Sequence, residues 1–125
     1  MTEYGRLVRE LKNLEQNGIL LPMAEDEWDT RPNDASYGIV SLDFEASQLH
    51  GDGLKADAAY EGSADLFSRE RSGAGWVELI TGTLSDCCGG CWSLNSHTYE
   101  RETGLFHWEW TFQTTDTEIP EDGET

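Results

Sequence analysis

Basic residues are scarce in this chain: 8 Lys and Arg stand against 25 Asp and Glu in 125 residues, a formal charge of -17. A groove that tracks phosphates takes its affinity from clustered cations, so direct nucleic-acid binding is not expected. Long apolar runs are lacking too. None approaches the roughly 20 residues that cross a bilayer, and the opening MTEYGRLVRE has no apolar signal-peptide core. No membrane partner is expected, and the chain should stay in the cytosol where it is made. Cysteine is limited to Cys87, Cys88 and Cys91. An odd count in so short a stretch cannot build a disulfide framework, so reduced thiols are the simplest reading.

Catalytic signatures are missing as well. There is no GxSxG elbow. Gly51-Asp52-Gly53 and Gly73-Ala74-Gly75 are too short, and wrongly placed, for a dinucleotide fingerprint. His50 beside Asp52 could be offered as a general base, but Gly and Asp there are already explained by a turn. The expectation is a non-enzyme with no catalytic residue and no cofactor.

What the chain does contain is periodicity. Tyr4, Leu7, Val8, Leu11 and Leu14 recur at steps of three and four, predicting an amphipathic helix over 3–16, capped by Thr2 and stopped at Asn17-Gly18. Pro22 to Asp34 reads as a long acidic connector anchored by Trp28. Val40, Leu42 and Phe44 alternate with Ile39, Ser41 and Asp43, predicting a strand. A second strand is predicted over 56–68, with Tyr60, Ala64 and Leu66 on one face and a bulge at Gly62; the turn between the two is His50–Gly53. Trp76, Leu79, Ile80, Thr83 and Leu84 mark a second helix within 72–86, with Ser72 as cap. The cysteine linker follows. Trp92, Leu94 and Ser96 then oppose Ser93, Asn95 and His97, and after the turn at 101–104 comes the plainest strand of all. There Phe106, Trp108, Trp110 and Phe112 share one face.

The predicted fold is α+β: a largely antiparallel sheet of two hairpins flanked by two helices, in the order α-β-β-α-β-β. Residues 1–114 form one domain. Residues 115–125 form an acidic tail with too little apolar surface to offset the entropy of ordering, and so should be flexible.

Cys88-Gly-Gly-Cys91 has the spacing by which two thiolates reach one zinc, and His97 and His107 are the residues that could complete a tetrahedral set. No second cleanly spaced pair accompanies it, and the motif follows a helix and precedes a strand, the wrong context for a thioredoxin-like site. The aromatic strand is read first as a packed core face, with an exposed assembly surface as the alternative.

The order of features resembles the tail-terminator, or tail-completion, proteins of long-tailed phages and prophages. The resemblance runs from about Leu7 to Phe112. It rests on the N-terminal helix, the Trp and Arg-Pro between Pro22 and Gly38, Tyr60-Glu-Gly-Ser-Ala-Asp-Leu-Phe67, Trp76-Val-Glu-Leu-Ile80, Trp92-Ser-Leu94, Tyr99-Glu100, and Glu102-Thr-Gly-Leu-Phe-His-Trp-Glu-Trp110. It implies a minor tail protein that forms a ring, usually a hexamer, on the end of the tail tube. There it would stop tube growth and meet the head-tail connector protein. The implied partners are further copies of itself, the tube protein and the connector; the implied location is the virion, reached from the host cytoplasm during assembly. Trp28, Asp29 and Arg31 are the interface candidates. Two other readings stay open: an acidic inhibitor that mimics DNA in a host protein's basic groove, and a small zinc-binding regulator.

Overall fold

The computed structural model describes residues 1–47 and 59–115. The turn at 50–53 and the acidic segment from Asp116 lie outside them. Helix α1 (Glu3–Leu11) starts as expected, with Thr2 Oγ1 accepting from the Gly5 N–H at 3.0 Å. It is shorter than its periodicity predicts. Asn17 (φ 54°) and Gly18 (φ 80°) both take the left-handed conformation, not to end the helix but to turn a two-residue hairpin between β1 (Glu15–Gln16) and β2 (Ile19–Leu20). Asn-Gly serves both devices. Leu14 extended the apparent helical stripe because it still packs against the core from the hairpin's approach.

The main sheet has five strands: β3 (Met23–Glu25), β4 (Ser36–Ser47), β5 (Ala59–Ser68), β6 (Trp92–Glu100) and β7 (Leu105–Thr115), in the spatial order β3-β4-β5-β7-β6. Both predicted hairpins are present, and antiparallel pairing of β5 with β7 fuses them into one sheet. Two details differ from the sequence reading. The acidic connector hides β3, which lies parallel to β4; three residues are too few to show a period. Thr115, placed in the tail, is instead the last residue of β7.

Helix α2 (Trp76–Cys88) follows a 3-10 turn over Gly73–Gly75, and Ser72 Oγ caps that turn by accepting from the Ala74 N–H at 3.2 Å. The helix runs two residues further than predicted, so Cys87 and Cys88 form its last turn rather than a linker, and both are buried. Gly89 (φ 60°) ends it.

Both helices cover the same sheet face. Leu7 and Leu11 of α1 and Ile80 and Leu84 of α2 are fully buried in one cluster with Ala64, Leu66, Trp108, Trp110 and Phe112. Each such side chain contributes about 1.5–3 kcal/mol on leaving water. The aromatic strand is therefore a core face, as its alternation predicts.

Two bulges adjust the sheet. Leu42 pairs with Gly62 and Phe44 with Glu61, so the extra residue sits on β4, opposite the predicted position. On β6, Leu94 pairs with Trp110 while Ser96 pairs with Glu109 and His97 with Trp108. The slip at Asn95 corrects the predicted alternation: His97 and Tyr99, not Ser96, join Trp92 and Leu94 on the helix side.

Candidate functional site

The connector after β3 folds over one corner of the sheet face that the helices leave uncovered. There Tyr37, Phe67 and His107 stand in direct register on three adjacent strands. Tyr37 stacks on Phe67 with centroids 5.1 Å apart, and Phe67 on His107 at 4.3 Å. Trp28 closes the corner, edge-on to Tyr37 at 6.2 Å, with its Nε1–H donating to the Gly38 carbonyl at 3.1 Å. It is the anchor expected of it. Arg31 is exposed and holds its guanidinium 5.9 Å from the Phe67 ring centre, while Asp29 is exposed beside it. The three interface candidates thus lie together, with Trp28 half-buried as a structural clamp.

Beyond that corner the uncovered face is polar. Ser41, Ser63, Thr111 and Ser93 line up in register across four strands. Neighbouring hydroxyls lie 3.3 Å apart for Ser41 and Ser63 and 3.2 Å for Ser93 and Thr111, and the Asn95 amide donates to Thr111 at 2.9 Å. A row of mutually bonded hydroxyls is a solvated surface rather than an apolar docking site.

His107 has both ring nitrogens committed. Nε2 lies 2.7 Å from Asp65 Oδ1, and Nδ1 lies 3.2 Å from Glu100 Oε2. The hydrogen bond to Asp65, reinforced by charge from Asp65, Glu100 and Glu109, raises the imidazole above its ordinary value of 6.5, and burial opposes the rise. An imidazolium held between two carboxylates is not poised to take a proton from a nucleophile. It pins β7 to β5 and to the end of β6. A group whose folded value is raised contributes stability in full below 6.5, and that contribution is lost as pH climbs through the raised value. His107→Gln should therefore cost about 2 kcal/mol near pH 6. The gap from the parent in urea melts should narrow as pH climbs above 6.5 through the raised value.

The proposed zinc ligands are not assembled. Among the described residues no group of three or more His, Cys, Asp or Glu side chains could hold a metal. His107 is held by carboxylates, and His97 stacks flat on Trp108 at 4.3 Å. Burial is the main reason the Cys87 thiol is pushed up to about 11 and Cys88 to about 12, so both stay protonated at neutral pH. Cys91 is exposed. His50 lies outside the described residues.

The surfaces near the two border strands of the sheet differ chemically. At β6, Arg69, Arg71, His97, Tyr99 and Phe106 line an open groove of about 610 Å³. Arg71 rides 5.5 Å above the Phe106 ring and Tyr99 packs against Phe106 at 4.9 Å. Neither Arg69 nor Arg71 has a carboxylate partner among the described residues. Leu94 and Tyr99 on the same edge are 45% and 54% exposed. At the β3 edge, Glu25, Asp26, Glu27 and Asp29 are all exposed, and no cationic side chain pairs with them among the described residues. The hairpin that leads into β3 shows Ile19 and Leu20 at 64% and 55% exposure, and they line a separate pocket with Pro22, Ser36, Glu70 and Trp76. Sequence reading missed the groove. Its one signal was Arg69-Glu70-Arg71, which holds two of only eight bases; what hid the rest was the Asn95 slip that brings His97 and Tyr99 to that side.

The chain is thus an α+β domain with a mostly antiparallel sheet, helices on one face, a groove holding two arginines near border strand β6 and exposed carboxylates at border strand β3. No helix among the described residues is long and apolar enough to cross a membrane. Comparison with protein-family models finds no match for the chain, and comparison with curated proteins finds none either.

Proposed function

We propose that this protein is a structural component of a long-tailed phage or prophage particle, a tail terminator that caps the tail tube as a ring and meets the head-tail connector protein. The observation that carries the reading is the pair of unlike free edges on one sheet. A closed ring needs a heterologous contact, in which one surface of each subunit meets a different surface of the next, and the β6 and β3 edges offer such a pair. The layout of helix, connector, hairpin, helix and aromatic hairpin that resembles tail terminators also supports it. The aromatic residues of β7 serve as scaffold, leaving edges, loops and acidic segments for contact.

The test mixes purified protein with tail tubes polymerised from the cognate tube protein and images them by negative stain. Rings on one tube end and arrested elongation are expected. Tubes that grow to the same length with and without the protein would overturn the reading. A competing observation, the exposed carboxylates of Glu25 to Asp29, suits an acidic mimic of DNA. Binding to a host DNA-processing enzyme, displaced by duplex DNA, would favour that function instead.

A further inference from the structure

We infer that the cationic groove along β6, built by Arg69, Arg71, His97 and Tyr99, receives the acidic β3 edge, Glu25 to Asp29, of a second copy of this chain. The inference rests on the proposed ring assembly and specifies which surfaces meet in it.

Three observations point the same way. Both patches lie at the borders of one sheet, so a rotation that places one beside the other lets subunit follow subunit in the same sense, as a heterologous contact requires. The basic patch also carries exposed apolar surface, since Tyr99 lines the groove with both arginines and is 54% exposed. Finally, β6 presents a nine-residue edge whose outer backbone groups face no other strand among the described residues, the kind of edge that proteins normally cover or pair.

Charge decides the partner. Two copies carrying -17 each repel at long range. With a Debye length of about 8 Å at physiological salt, that repulsion is largely screened, while guanidinium–carboxylate contacts at a few ångströms survive. On so acidic a chain an unpaired pair of arginines beside two aromatic rings marks a place for an acidic surface, and the β3 edge supplies one on the same molecule. That edge cannot reach its own groove, because β4, β5 and β7 stand between them.

The test uses the full chain with two double variants that change only exposed side chains, Arg69→Glu with Arg71→Glu, and Glu25→Arg with Glu27→Arg. Sedimentation velocity at about 1 mM protein and physiological salt reads self-association. The parent should self-associate, and each variant alone should do so at least about tenfold more weakly. An equimolar mixture of the two should recover hetero-association, because the intact groove of one then meets the intact edge of the other. A parent that stays monomeric, variants that associate like the parent, or a mixture that fails to recover would each overturn the inference. If tube capping persists while the variants behave like the parent, the docking surface is wrong and the tail function stands. If the charge swap works but no tube is capped, the surface stands and the tail function falls.

Discussion

Replacing Trp110 with alanine is expected to remove about 3–5 kcal/mol of stability, which is most or all of a total at the low end of the usual 5–15 kcal/mol. Trp110 has no solvent-exposed surface and lies in the cluster to which both helices contribute, on β7 between β5 and β6. Truncation would open a cavity bounded by elements that cannot all close in at once, since β5 and β6 hold β7 on both sides. Urea denaturation followed by fluorescence and circular dichroism would read the loss. Trp110→Phe is the informative companion. The indole Nε1 is buried without a hydrogen-bond partner among the described residues, so phenylalanine keeps most of the packing and discards an unsatisfied donor, and should cost no more than about 1.5 kcal/mol. Equal losses for the two variants would mean that ring shape, not apolar volume, sets the packing there.

Gly62→Ala is expected to cost about 1–3 kcal/mol despite adding a single methyl group. A Cβ at Gly62 would meet Phe112 Cζ at 2.5 Å and the Ser41 carbonyl oxygen at 2.5 Å. The ring cannot swing away, because Phe112 is 1% exposed and stacked on Tyr4 at 6.3 Å. The carbonyl belongs to the strand paired with Gly62 just before the β4 bulge. Differential scanning calorimetry should show the fall in midpoint. Adding Phe112→Leu should recover little, since the backbone clash with Ser41 remains; full recovery would place the whole conflict in the ring.

The parts of this fold that announce themselves in sequence are those whose hydrophobic pattern outlasts a few residues. Phe106 to Phe112 alternates cleanly because one face is covered by helices while the other is mostly polar and, at His107, meets the small corner closed by Trp28. Thr2 was readable as a cap because its chemistry is local. The errors have local causes as well. Asn17-Gly18 suits both a helix stop and a hairpin, and only the continuation of the chain into β2 and β3 chooses between them. β3 was invisible in the connector because its pairing partner, not its own three residues, makes it a strand. Cys87 and Cys88 looked like a linker until their burial showed that the helix needed them.

By itself the sequence determined the α+β class, the existence of both helices and both hairpins, the aromatic core face and the anchoring by Trp28, because each depends on the spacing of residues near one another in the chain. The meeting of remote residues was left to the tertiary structure. The β5–β7 pairing sets His107 between Asp65 and Glu100. The slip at Asn95 turns His97 and Tyr99 toward Arg69 and Arg71. The strand order carries the acidic and basic borders to opposite sides of one sheet. A one-residue bulge reverses which face every later side chain occupies, and no pattern of composition records where it falls.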